Sequence, residues 1–205
     1  MDELKTTDLW VARISSIGGA QARYLWLLML FGILFLSLKP ATESASFEVP
    51  GIGFPIDVNI LEAAAPLVLS ILVILVHGTM RAHGGALRAL GFERDPDVLL
   101  SKDHQRLTEA IDASPNPLDF AAYTWEKWER SPYVFLLMNY PLYLATFLVE
   151  ALYLGYKLVV TRHLSFEATV LTVAGGLAFL IAISQTIKLA RTRLRKIRAV
   201  LKRSP

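Results

Sequence analysis

The sequence predicts an all-α integral membrane protein with four transmembrane helices, and three observations support this fold class. Hydrophobic residues make up 54% of the 205-residue chain, more than the ~45–50% usual in soluble domains. Four separate runs approach the ~20 apolar residues that a helix needs to cross a bilayer. Lys and Arg lie almost entirely on one side of these runs. We expect a single membrane domain over residues 1–205.

The first predicted span is the shortest, so we expect it to extend back to Ala20, with Arg23 reaching the membrane interface. A soluble helical bundle is disfavoured, because runs this apolar need a larger core than a chain of this length builds. The four predicted spans cover about residues 20–38, 60–77, 133–156 and 168–187.

The distribution of basic residues predicts the orientation. Eighteen of the 21 Lys and Arg residues fall in residues 1–23, 78–132 and 188–205, and only three fall in the two remaining loops. Loops rich in Lys and Arg stay in the cytoplasm. The sequence therefore predicts cytoplasmic N and C termini, and the absence of cysteine fits a bacterial inner (plasma) membrane.

The segments outside the four spans are expected to adopt different secondary structures. Residues 78–132 are predicted to form a cytoplasmic helical hairpin, because Asp95-Pro96-Asp97 resembles a helix start and Ser114-Pro115-Asn116-Pro117 a break. In the outer loop, Pro and Gly favour turns. The apolar residues of this loop are expected to form a short hairpin or to pack on the helix ends: Phe47, Ile52, Phe54 and Ile56. Residues 188–205 read as a basic helical tail.

Polar residues inside the predicted spans are the candidate pore or cavity lining: Asn139, Glu150 and Gln185. An ionisable residue in a span is costly and by default suggests a cavity, a pore or a partner. Glu150 has a simpler alternative, in which it reaches the outer interface or pairs with Lys157. Hydrogen bonding between helices is the simpler explanation for the other polar groups.

Four carboxylates lie on or just beyond the outer loop. In a symmetric oligomer they become a ring that concentrates cations, against only Lys39 from each subunit. We call these residues the outer acidic mouth: Glu43, Glu48, Asp57 and Glu62.

The basic tail has two interpretations. It is either an anchor that contacts anionic lipid or a surface for a nucleotide or oligonucleotide ligand on the cytoplasmic side. The residues concerned are Arg191, Arg193, Arg195, Lys196 and Arg198.

No pattern of catalytic residues is present. The four histidines lack a metal-ligand spacing, Gly84-Gly85 is not followed by the Lys and Ser or Thr of a phosphate loop, and G-x-S-x-G does not occur. We therefore predict no catalytic site, no metal site, no cofactor and no enzymatic activity.

One stretch carries a family resemblance. Gly18 to Arg23, an apolar span, Ile52 to Asp57, Glu62 and Ala65-Pro66-Leu67-Val68-Leu69 resemble the amino-terminal four-span membrane module of bacterial pentapeptide-repeat membrane proteins and of phage-defence membrane effectors. The likeness covers about residues 18–90, and this chain has no pentapeptide repeats after the fourth span.

The resemblance implies an oligomeric, ion-conducting membrane effector controlled by a cytoplasmic ligand or partner. The alternative is a non-catalytic accessory or scaffold subunit, whose polar span residues pack against a different membrane protein. A homogeneous homo-oligomer favours the first hypothesis, whereas an unstable monomer favours the second.

Overall fold

The computed structural model describes residues 2–37, 46–48, 55–89, 131–161 and 164–201. This part of the chain consists of four long helices and one short hairpin. The helices are α1 (Asp2–Ser37), α2 (Val58–Ala89), α3 (Ser131–Thr161) and α4 (Phe166–Leu201).

All four helices are long and apolar enough to cross a membrane, which confirms the predicted number of such helices. The apolar segments are Ala12–Ser37, Val58–Ala82, Pro141–Val160 and Phe166–Thr192. Each overlaps one predicted span.

The helices extend further than the apolar runs. Helix α1 includes the residues before Ala20, because Gly18-Gly19 does not interrupt it, and α2 continues to Ala89 within the predicted cytoplasmic insertion. Helix α4 carries the basic tail to Leu201. The helical hairpin predicted after Ala89 lies outside the described residues.

A two-stranded hairpin precedes α2. Strands β1 (Ser46–Glu48) and β2 (Pro55–Asp57) pair antiparallel, with Phe47 opposite Ile56. This confirms the short hairpin, whereas Ile52 and Phe54 lie outside the described residues. Pro55 is the first residue of its strand, a position where a missing N–H is tolerated.

Polar side chains cap two of the helices. The backbone N–H of Asn59 donates to Oδ1 of Asp57 at 2.8 Å, so Asp57 is the N-cap of α2. The backbone N–H of Ala168 donates to Oγ of Ser165 at 3.2 Å, which does the same for α4. Each cap satisfies a backbone donor that the first helical turn leaves unbonded.

The chain divides into two compact units. The larger one comprises Trp26–Ile74 and Val134–Pro205, and the smaller one comprises Met1–Leu25 and Leu75–Tyr133. The boundaries cut through helices, so each unit takes parts of α1, α2 and α3.

Helix α2 packs closely on α3 and α4 at Pro66. In the larger unit, a Cβ on Gly175 of α4 would lie 3.1 Å from Cβ of Pro66 and 3.1 Å from the backbone N of Leu67. A Cβ on Gly155 of α3 would lie 3.6 Å from Cγ of Pro66. Helices approach this closely inside a membrane where one of them carries small residues. Proline interrupts helical hydrogen bonding, and neighbouring helices make that interruption tolerable.

A small apolar cluster lies in the same unit. It contains buried Ala63, Leu158 and Ala168, with Leu164 and Leu171 packed against them. These residues join α2, α3 and α4 near the end of α2 that carries the hairpin.

Candidate functional site: an ionisable residue between α1 and α3

Glu150 faces α1 at a glycine. A Cβ on Gly32 would lie 3.1 Å from Oε2 of Glu150 and 2.9 Å from Cε1 of Phe147. Only a residue without a side chain leaves room for both groups, so Gly32 allows α3 to place a carboxylate against the backbone of α1.

Three side chains of α3 form a row that includes this carboxylate. Tyr143, Phe147 and Glu150 follow one another at helical spacing, and the rings of Tyr143 and Phe147 meet edge to face with centroids 5.3 Å apart. The row therefore presents two aromatic rings and one carboxylate, all within the apolar segment Pro141–Val160.

Glu150 is incompletely satisfied. The residue is partly buried, and its Oε1 atom is buried with no hydrogen-bond partner among the described residues. A buried polar atom without a partner costs free energy, so an unbonded carboxylate oxygen in a span calls for a water molecule, a cation or a partner group. Lys157, the partner considered for Glu150 from the sequence, forms an ion pair with Glu62.

The Glu62–Lys157 pair joins α2 to α3. Nζ of Lys157 lies 3.8 Å from Oε1 of Glu62, whose side chain is 8% exposed against 28% for the lysine. Glu62 was predicted as part of the outer acidic mouth. Its burial and its ion pair place it inside the larger unit, next to the cluster around Ala63.

The other residues of the predicted outer acidic mouth are in three different situations. Asp57 is exposed and caps α2. Glu48 is the last residue of strand β1, and the structure describes its backbone but not its side chain. Glu43 lies outside the described residues. Of the four carboxylates, the structure describes the side chains of Asp57 and Glu62 alone, so the outer acidic mouth stays a prediction.

The two remaining lining candidates are on different helices. Asn139 belongs to α3, with its side chain outside the description, and Gln185 is a partly buried residue of α4. Asn139 lies about three helical turns before Glu150 on the same helix, and no contact of either residue with Glu150 is described, so the predicted lining stays a prediction.

Several buried polar residues were not singled out from the sequence as site residues. In the smaller unit Gln21 is 0% and His77 3% exposed, and in the larger unit Ser70 is 0% exposed. Oγ of Ser70 has no hydrogen-bond partner in the described part of the chain. The only signal in the sequence was a polar residue within an apolar run. The sequence of one helix does not show how deeply each of its residues is buried among the other helices.

The basic tail is only partly described. Lys188, Arg191 and Arg195 are exposed on α4. Arg193, Lys196 and Arg198 occupy helical positions whose side chains lie outside the description.

Within the described residues, no three His, Asp or Glu side chains lie close enough together to hold a metal ion. Comparison of the chain with protein-family models, curated proteins and solved structures finds no match.

Proposed function

We propose that this chain is a multi-pass protein of the bacterial inner membrane, with both termini in the cytoplasm, and that it forms a homo-oligomer that conducts ions. Four helices of sufficient length and apolarity support the insertion. The placement of eighteen of the 21 basic residues supports the orientation.

Glu150 is the observation that carries the proposal of conduction. Its carboxylate lies in the middle of an apolar segment, against Gly32, and one of its oxygens is buried without a hydrogen-bond partner among the described residues. A permeating cation or a chain of water molecules at the α1–α3 contact supplies the missing interaction. Ionisable residues in spans commonly mark such pathways.

We propose that the outer acidic mouth selects cations, and that Glu62 contributes less to it than the sequence suggested. Glu62 is already balanced by Lys157, so the ring rests mainly on Glu43, Glu48 and Asp57. One copy of each from every subunit makes a ring of carboxylates, and such rings concentrate cations and exclude anions.

The biological role that we propose is that of an effector in bacterial defence, gated by a cytoplasmic ligand or partner. This part rests on the resemblance of residues 18–90 to membrane modules of defence proteins. The polar cytoplasmic segment after Ala89 is the place for such a signal to be received.

Conduction is tested with the purified full-length protein in a planar bilayer under a KCl gradient. We expect cation selectivity, with a reversal potential toward the potassium equilibrium potential. Glu150→Gln should lower the cation conductance severalfold, because it removes the carboxylate that a cation meets in a low-dielectric path. Joint replacement of Glu43, Glu48 and Asp57 by Gln or Asn should move the reversal potential toward zero.

Glu167→Gln is the matched control. Glu167 is exposed at the start of α4, so its replacement removes the same charge without touching the α1–α3 contact and should leave the conductance unchanged. Anion selectivity of the wild type would refute the carboxylate ring. Equal effects of both variants would refute the specific role of Glu150.

The second candidate function is that of an accessory or scaffold subunit of a larger membrane complex. The same observation favours it, because a basic side chain of another membrane protein would also satisfy Glu150. A purified homogeneous homo-oligomer supports the first proposal. An unstable monomer that conducts no ions under any condition supports the second.

The orientation has its own test. Reporter fusions after Gly91 and at the C-terminus should report the cytoplasm, and a fusion at Glu48 should report the periplasm. A periplasmic C-terminus would contradict the proposed arrangement.

A further inference from the structure

The end of α4 carries a row of basic residues on one face. Lys188, Arg191 and Arg195 follow at spacings of three and four residues, which places them on the same side of a helix, and all three are exposed. Thr192, which is also exposed, is uncharged. Its hydroxyl donates to the backbone oxygen of Lys188 at 2.9 Å. We call these three residues the basic row.

Nothing in the neighbouring sequence neutralises the basic row. No Asp or Glu occurs between residues 188 and 205. In the described part of the chain, none of the three side chains forms an ion pair. As far as the described residues go, the row therefore keeps three positive charges available to an external anion.

The continuity of α4 sets the height of these charges in a bilayer. If Phe166 lies at one edge of the hydrocarbon core, a rise of about 1.5 Å per residue places Lys188 about 33 Å and Arg195 about 44 Å further along the helix. The hydrocarbon core is about 30 Å thick and the whole bilayer about 40–45 Å. Each headgroup layer is therefore about 5–8 Å deep, so Lys188 lies within the far layer and Arg191 at its outer edge. Arg195 lies about 6–9 Å beyond it, from where its long side chain reaches back to the headgroups.

We propose that the basic row binds the headgroups of anionic phospholipids. The proposal rests on the membrane insertion proposed above, but not on ion conduction. The partner is a lipid and not a soluble polyanion, because Lys188 and Arg191 lie at the end of the apolar segment Phe166–Thr192, beside exposed Ile187. Ile187 lies about 32 Å from Phe166, where the acyl chains end, whereas a dissolved nucleotide leaves it in water.

The guanidinium groups decide the chemistry of the contact. Arg191 and Arg195 each present a planar fork that bonds two phosphate oxygens at once, whereas Lys188 acts as a point charge. A phosphodiester such as phosphatidylglycerol offers this pair of oxygens together with a net negative charge. Zwitterionic phosphatidylcholine lacks the net negative charge.

The test is native mass spectrometry of the full-length protein purified in a neutral detergent and titrated with phosphatidylglycerol or phosphatidylcholine. The wild type should retain phosphatidylglycerol preferentially. At about 1 kcal/mol per basic residue, the double variant R191Q/R195Q should bind it about 30-fold more weakly.

The chain provides a control with the same change of charge. Arg193 and Lys196 belong to the same helix but fall outside the row by helical register, so R193Q/K196Q should weaken phosphatidylglycerol binding by less than about threefold, since only diffuse charge is lost. Equal losses in the two double variants would overturn the proposal of a specific face.

Two further outcomes would also overturn it. One is a wild type that does not distinguish phosphatidylglycerol from phosphatidylcholine. The other is binding of inorganic polyphosphate in lipid-free detergent that R191Q/R195Q abolishes, which would assign the row to a soluble anion. Fractionation of cells separates this failure from a failure of membrane insertion, because a protein that does not insert is recovered in the soluble fraction.

Discussion

Helices α2 and α4 have similar hydropathy and very different surroundings. An 18-residue window in each apolar segment has a mean hydropathy of 2.3 in α2 and 2.0 in α4, yet 56% of the α2 window is buried within the chain, against 22% of the α4 window. An apolar run is equally suited to lipid and to protein neighbours, since lipid tails are as apolar as leucine. The comparison teaches that hydropathy detects a span without revealing what covers it.

The residue sizes on the two helices explain the difference. The buried positions of α4 are small residues along one stripe, at Ala168, Gly175, Ala178, Ala182 and Thr186. Its large residues, such as Leu177 and Leu180, point outward, with 61% and 62% exposure.

Helix α2 instead buries large residues as well. Leu69 and Val73 are each fully buried, and Pro66 lies against glycines of both α3 and α4. A single stripe of small residues suffices for α4, which contacts its neighbours along one side, whereas α2 meets neighbours on several sides.

The largest expected effect comes from matched truncations on the two helices. Leu69→Ala should lower the free energy of unfolding by about 2–5 kcal/mol, because it leaves a cavity inside the bundle. Leu177→Ala should lower it by less than about 1 kcal/mol, because the side chain is exposed. Unfolding of the purified protein by SDS titration in mixed micelles measures both.

Similar losses for the two truncations would break the comparison. They would indicate that a second copy of the chain covers Leu177 in the oligomer. Chemical crosslinking of the two variants under the same conditions reports whether two copies are in contact. It separates that explanation from a looser packing around Leu69.

Two adjacent glycines of α4 offer a sharper test. Gly175→Ala should cost about 1–3 kcal/mol, because its methyl group meets the backbone of α2 at Leu67 and strain follows. Gly176→Ala meets no atom within 4 Å and should stabilise the helix by up to about 1 kcal/mol, since alanine is the better helix former.

The two glycine variants are compared by thermal unfolding in the same detergent. A fall in Tm for Gly175→Ala together with an unchanged or raised Tm for Gly176→Ala is the expected result. The reverse order would mean that Gly176, and not Gly175, faces α2.

The smallest expected effect concerns the ion pair that anchors α2 to α3. A double-mutant cycle with Glu62→Gln and Lys157→Gln should give a coupling of about 1–2 kcal/mol, between the values for exposed and buried pairs. Lys157→Gln alone should cost more than the double variant, since it removes the cation that lies 3.8 Å from the buried Glu62 carboxylate. SDS titration again provides the free energies.

Lys188→Gln serves as the control in that cycle, because Lys188 is exposed and forms no ion pair with the described residues. It should change the free energy of unfolding by less than about 0.5 kcal/mol. A coupling between Glu62 and Lys157 that is no larger than this would show that their 3.8 Å approach contributes nothing to stability.

Sequence reasoning predicted the site only in part. Glu150 was recognised because a charge within an apolar run is conspicuous, and it does lie at a helix contact. Its neighbour Gly32 was not recognised, since a glycine in an apolar run gives no sign that a carboxylate packs against it. The pairing of Lys157 with Glu62 was missed for a similar reason, because the two residues are far apart in the chain.

The sequence by itself determined the number of helices able to cross a membrane, their order and the basic character of the tail, because helix length and hydropathy are local properties of consecutive residues. Only the tertiary structure decided that α2 is the most buried helix, that Pro66 lies against Gly155 and Gly175, and that Glu150 faces Gly32. These are contacts between segments that are distant in sequence. They depend on which face each helix turns to its neighbours, and an apolar run that is hydrophobic on all sides leaves that choice open.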